Sequence, residues 1–124
     1  MANSAYYANK VLDATFKNTT YAVAVPYISL HTADPGTTGA SEVAGGSYAR
    51  QSGAFASASA KASVSNAAIN YTLMPACTAT HFGVWDASSG GNFLWGGVLS
   101  ASKTINAGDT FQFPSGQLAF SIST

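Results

Sequence analysis

The apolar residues of this chain change period once, close to residue 18. Before that point they recur at helical spacing, and after it they alternate in twos, the spacing of strands. Ala5, Ala8 and Leu12, with Val11 and Phe16 on the adjoining edge, make one stripe of a helix over about residues 4–17. Asn3 or Ser4 is placed to cap it, because a short polar side chain accepts from the free amides of the first turn. Lys17 falls in the last turn, where a cation suits the negative end of the helix dipole. Asn18-Thr19-Thr20 ends the helical pattern.

Beyond the helix the pattern predicts extended segments. Residues 21–25 form a β-branched and aromatic run that stops at Pro26. Residues 27–33 alternate Ile28, Leu30 and Thr32 against Tyr27, Ser29 and His31, and Asp34-Pro35-Gly36 closes them with turn chemistry. Residues 37–46 read as a glycine-punctuated surface loop and 47–55 as extended again. Residues 56–68 alternate Ala and Ser, which predicts a flat extended tract lying close to another backbone. Ile69, Tyr71 and Leu73 share a face, and so do Phe82 and Val84, opposed to His81, Gly83 and Trp85. Residues 88–92 make a hairpin turn into residues 93–100, and residues 106–109 make a further turn. The last strands are 110–113 and 117–124. Phe82, Val84, Leu118, Phe120 and Ile122 form the expected inward face. About seven or eight short strands, with turns every ~8–12 residues, predict a mainly β chain. The expected architecture is a single β-sandwich or jelly-roll-like domain, residues 1–124, with a short N-terminal helix.

At 124 residues one domain is expected. It is large enough to bury a core without staples. The one cysteine, Cys77, forms no intrachain disulfide and reads as an inert thiol. The opening Met1-Ala2-Asn3-Ser4-Ala5-Tyr6-Tyr7 lacks the basic start and apolar core of a secretory leader, so none is expected. Polar residues interrupt every apolar run, so no membrane partner is expected. Lys10, Lys17, Arg50, Lys61 and Lys103 are scattered, so no nucleic-acid partner is expected. Charged residues make up 8% of the chain and its net charge is +0. About 25% charged is usual for a soluble domain. Such a surface favours association, which predicts a homo-oligomer.

His31 with Asp34, and His81 with Asp86, have the residue types of a metal site, but their spacing matches no clustered ligand motif. Asp34 and Asp86 read as turn residues, and neither metal nor cofactor is expected. No Gly-x-Ser-x-Gly elbow supports a serine nucleophile. Asp34, Glu42, Asp86 and Asp109 fall in or beside turns rather than converging as paired acids, so no enzyme activity is expected. Trp85 and Trp95 lie on the two arms of one hairpin. They belong to the core or a subunit interface, or they stand outward as a sugar-binding platform.

Residues 27–39, followed by Glu42-Val43 and by residues 45–51 (Gly-Gly-Ser-Tyr-Ala-Arg-Gln), resemble a pattern in small structural proteins of tailed bacteriophages, tail-fibre-like or capsid-decorating. The N-terminal helix, the hairpin around Gly83-Val84-Trp85-Asp86 and the Gly108-Asp109 turn look similar to that group as well. The resemblance implies a part of the virion, assembled in the host cytoplasm. Within this stretch Glu42 and Arg50 are near enough to pair and fix the loop; left solvated, such a pair contributes at most ~1 kcal/mol. His31, Asp34, Glu42, Tyr48, Arg50, Trp85 and Trp95 are the candidate interface or structural-loop residues. The expected function is a capsid decoration, or cement, protein: a homotrimer whose partners are its own copies and the major capsid protein or other virion proteins. The alternative is a tail or head fibre adhesin that binds host-surface glycan.

Overall fold

The computed structural model describes residues 2–121, which form nine strands and one helix. The protein is mainly β, as its sequence predicts. Strand β1 (Ala2–Asn3) leads into helix α1 (Ala5–Phe16). Ser4, not Asn3, is the cap: its hydroxyl accepts from the Tyr7 amide at 3.1 Å, while Asn3 is held in β1. At the far end Lys17 is the C-cap, its amide bonded to the Asp13 carbonyl, and Asn18 turns left-handed at φ 52°. No residue of α1 is buried, and Leu12 and Phe16 are 53% and 76% exposed. The helical stripe exists, but the domain covers only part of it: Ala8 and Val11 are half-buried, and Ala5, Leu12 and Phe16 are exposed.

The main sheet has five antiparallel strands in the order β1-β7-β6-β2-β3, with β2 at Tyr27–His31, β3 at Gln51–Ser52, β6 at Cys77–Trp85 and β7 at Phe93–Ile105. Two short ladders pair β4 (Ala62–Val64) with β9 (Ala119–Ser121) and β5 (Ile69–Tyr71) with β8 (Phe111–Phe113). Ile28, Leu30, Ala79, Phe82 and Ile105 from the sheet meet Ile69, Tyr71 and Phe113 from the β5–β8 ladder and Leu118 just before β9, and Val43 and Met74 join this core. The arrangement is sandwich-like, with the second layer split in two. Phe82 and Leu118 are buried and Val84 and Phe120 half-buried, all on this core. Ile122 lies outside the described residues.

Several expected segments differ. Residues 21–25 form no strand, because β6 ends at Trp85, opposite Tyr27, and offers nothing further to pair with. Of residues 47–55 only Gln51 and Ser52 join the sheet. The Ala/Ser tract is not flat throughout. Ala60 and Lys61 both take positive φ (51° and 67°), and Ser59 and Ala62 exchange backbone hydrogen bonds across them, which makes a two-residue hairpin turn. Leu73 is 61% exposed, not inward with Ile69 and Tyr71. Its backbone turns left-handed (φ 50°), and Met74 takes the interior position instead, tied to the Asp109 carbonyl and the Gly108 amide.

Candidate functional site

Strand β2 positions the site. Ile28, Ser29, Leu30 and His31 are all buried, so this strand is covered on both faces. Ile28 and Leu30 face the core. Ser29 and His31 face the other way, beneath the segment of residues 32–50 that folds back across the sheet. That segment is stitched down by the Val43 amide on the Leu30 carbonyl (2.9 Å) and closed on itself by the Thr32 amide on the Ser41 carbonyl (3.0 Å).

Under the strap runs a polar chain. The Trp85 indole N–H donates to Ser29 Oγ at 2.9 Å, and Ser29 Oγ lies 2.6 Å from His31 Nε2. His31 Nδ1 is 2.7 Å from the Ala40 carbonyl. A carbonyl only accepts, so Nδ1 carries the proton; Nε2 is then the acceptor and Ser29 donates to it. Burial pushes the His31 pKa down, opposed by the Ala40 carbonyl and by Glu42. Gly83 sits opposite Ser29 in the register, and its missing side chain makes room. A Cβ there would lie 2.7 Å from Ser29 Oγ, 2.8 Å from His31 Nε2 and 2.9 Å from Phe93.

A second layer closes over the first. Arg50 Nε and Nη2 donate to the two Glu42 oxygens, each at 2.9 Å, with the side chains only 9% and 22% exposed. Its Nη1 donates to the carbonyls of Ala87 (3.1 Å) and Gly90 (2.9 Å), in the turn between β6 and β7. The Tyr48 hydroxyl donates to Glu42 at 2.8 Å and accepts the Leu30 amide at 3.0 Å. Burial pushes its pKa well up, so it stays a donor. Gly39, at φ +81°, carries the strap across the Trp85 ring, where a Cβ would come within 2.5 Å of Cζ2.

Five of the seven candidate residues therefore meet: His31, Glu42, Tyr48, Arg50 and Trp85. Asp34 is not among them. Its carboxylate accepts the Gly36 amide at 2.8 Å in an exposed turn. Trp95 lies on the other face of the sheet, between Tyr7 and Phe120, with ring centroids 5.4 and 5.6 Å away. The two tryptophans thus neither face each other nor share a platform. Trp95 pairs with Val84 in the register, next to Trp85, and neighbouring positions point to opposite faces. Ser29 and Gly83 went unmarked in the sequence; the signal was a serine two residues from a histidine on one strand face.

The Ser29–His31 contact has the geometry of an activated hydroxyl. Both residues are 0% exposed, and the hydroxyl already accepts from Trp85, so no substrate atom can approach it. The cluster locks the strap to the sheet. Among the described residues no group of three or more His, Cys, Asp or Glu is placed to hold a metal ion. His81 turns instead to the Thr80 hydroxyl, at 2.7 Å.

A family model described as Podophage GP4 fiber I protein gp80 matches residues 2–121, which include α1, every strand and all of the cluster. No curated protein matches the chain.

Proposed function

The chain belongs to the podophage fiber I protein gp80 family, a family of virion structural proteins, and on that premise we propose that it is a subunit of a phage fibre rather than a capsid cement protein. The family description carries this reading. A fibre subunit must transmit load without unfolding, and the clamp that this cluster makes between strap and sheet fits that task. Arg50 ties residues 42, 87 and 90 together, so pulling the strap off the sheet breaks several charge-assisted bonds at once.

The subunit acts as a homotrimer and joins the rest of the virion through contacts with its own copies and with neighbouring virion proteins. Two features support association. The chain is 8% charged with net charge +0, and α1 leaves Leu12 and Phe16 more than half exposed. A stable specific contact needs roughly 1,600 Å² of buried surface.

Cryo-electron microscopy of particles carrying tagged protein tests the location. Tag density on projecting fibres is the expected outcome; tag density spread over the icosahedral shell overturns the fibre reading in favour of decoration. Sedimentation of the purified protein tests the trimer, and a sharp monomer at micromolar concentration overturns it.

A further inference from the structure

The two long strands shift register twice, and the larger shift lies between Ala79 and His81. Ala79 pairs with Lys103 and His81 with Val98; between these pairs β6 has only Thr80, whereas β7 has Leu99, Ser100, Ala101 and Ser102. The looped-out segment forms one wall of a cleft of about 230 Å³ whose other wall is β8 and the turn after it. Leu99, Phe111 and Leu118 give it an apolar floor, and Ser100, Gln112 and Gln117 give it a polar rim.

The rim is held in place. Gln112 Nε2 donates to Asn70 Oδ1 at 2.8 Å. The turn that carries Gln117 is fixed by Ser65, whose buried hydroxyl accepts the Gly116 and Leu118 amides at 3.2 and 3.3 Å. No charged side chain lines the cleft among the described residues. An anion or cation leaving water for it would find no counter-charge. Its volume falls below the ~300–1,000 Å³ of sites for drug-sized ligands, which limits an occupant to about one ring. The looped-out segment interrupts pairing along β7 and Lys103 stands beyond it, features that oppose addition of an extended peptide strand.

We infer that this cleft is a binding site for one neutral sugar residue. A pyranose ring has an apolar C–H face to lie against Phe111 and hydroxyls to meet the Ser100 hydroxyl and the Gln117 amide, each of which can both donate and accept. The site stands on the cleft alone; a fibre location and a shell location leave it unchanged.

The test is amide-resolved NMR titration of the whole protein with neutral methyl hexosides and N-acetylhexosaminides, one at a time. At least one should shift the amides of Ser100, Ala101, Gln112 and Gln117, with a dissociation constant of about 1 mM or weaker, as suits so small a ligand. Gln117→Ala, at an exposed position, should weaken binding about fivefold or more without changing the melting temperature. Ala101→Trp should fill the cleft and abolish the shifts. A tetrasaccharide of the same sugar that binds as well marks a polysaccharide unit; binding of the monosaccharide alone marks a closed single-sugar site, and either supports the inference. The inference is overturned if no neutral glycoside shifts these amides. A sialylated or phosphorylated sugar that binds more tightly overturns it too, as does N-acetyl-leucine amide producing the same shifts in place of the sugars.

Discussion

The Arg50 guanidinium sits over the Trp85 indole, its central carbon 3.6 Å from the ring centroid, while the indole N–H of the same residue holds Ser29. One tryptophan thus joins the two layers of the clamp. Arg50, with Glu42 and Tyr48, meets its ring; Ser29, with His31, meets its N–H. Stacking, a two-pronged carboxylate pair and two carbonyl bonds all converge on one side chain, and Arg is the residue whose planar fork can serve all of them.

Arg50→Ala should therefore destabilise the domain by about 3–5 kcal/mol, because it leaves Glu42 largely buried without its partner. Arg50→Lys should recover only part of this, since an ammonium cannot reach both carboxylate oxygens and both carbonyls. Urea unfolding of the three proteins measures the order. An Arg50→Lys protein as stable as the wild type would mean that the fork contributes nothing.

Acid should weaken the domain through His31. The folded state keeps this ring neutral, with its pKa pushed below the ordinary value, whereas the unfolded chain takes up a proton near pH 6.5. In that window the unfolded state binds more protons, so stability is full above about pH 6.5 and falls as the pH drops toward the folded-state value. The stability difference between wild type and His31→Leu, followed from pH 8 to pH 5, isolates this contribution. It should shrink as the pH falls; a constant difference would show that His31 is not held neutral.

Local rules made part of this molecule readable. The Ser4 cap, the alternation of β2 and β6, the Asp34 turn and the Glu42–Arg50 pair each depend on residues no more than eight positions apart. What escaped depends on distant partners. The strand-like composition of residues 21–25 came to nothing because β6 ends at Trp85. The left-handed turn at Ala60 and Lys61 carries no glycine or asparagine to announce it. Alternation puts Ser29 and His31 on the face opposite Ile28 and Leu30 without saying what covers it, and only the returning strap makes that face interior. The separation of Trp85 from Trp95 follows from the pairing of Val84 with Trp95, which composition does not reveal.

Two glycines separate crowding from backbone strain. Gly108 has φ +87° and open space around it, so Gly108→Ala should cost about 1–2 kcal/mol from the backbone alone. Gly83→Ala would drive a methyl into Ser29, His31 and Phe93, an overpacking cost of about 1–3 kcal/mol or more. The distinguishing readout is the Trp85 indole N–H resonance. It should move in Gly83→Ala, where its acceptor Ser29 is displaced, and stay in place in Gly108→Ala. The same shift in both proteins would argue against the polar chain as drawn.

Phe113 and Phe120 should differ in the cost of truncation. Phe113 is 6% exposed and meets Tyr71, Phe82 and Phe111 edge-on, with centroids 5.0–6.4 Å away. Removing it should cost about 3–5 kcal/mol, the range for an aromatic taken from a packed core. Phe120 is half-buried at the margin, against Phe55, Phe82 and Trp95, and keeps part of its ring in water. Phe120→Ala should therefore cost less, because less apolar area returns to solvent and the gap lies nearer the surface. Tyr71→Phe adds an internal check: the buried hydroxyl donates to the Ile28 carbonyl at 2.7 Å, so removing it deletes one buried hydrogen bond and should cost about 0.5–1.5 kcal/mol. Denaturant midpoints of the three variants settle the ranking. If Phe120→Ala proves the most damaging, the centre of the core lies under the β4–β9 ladder and not under β5–β8.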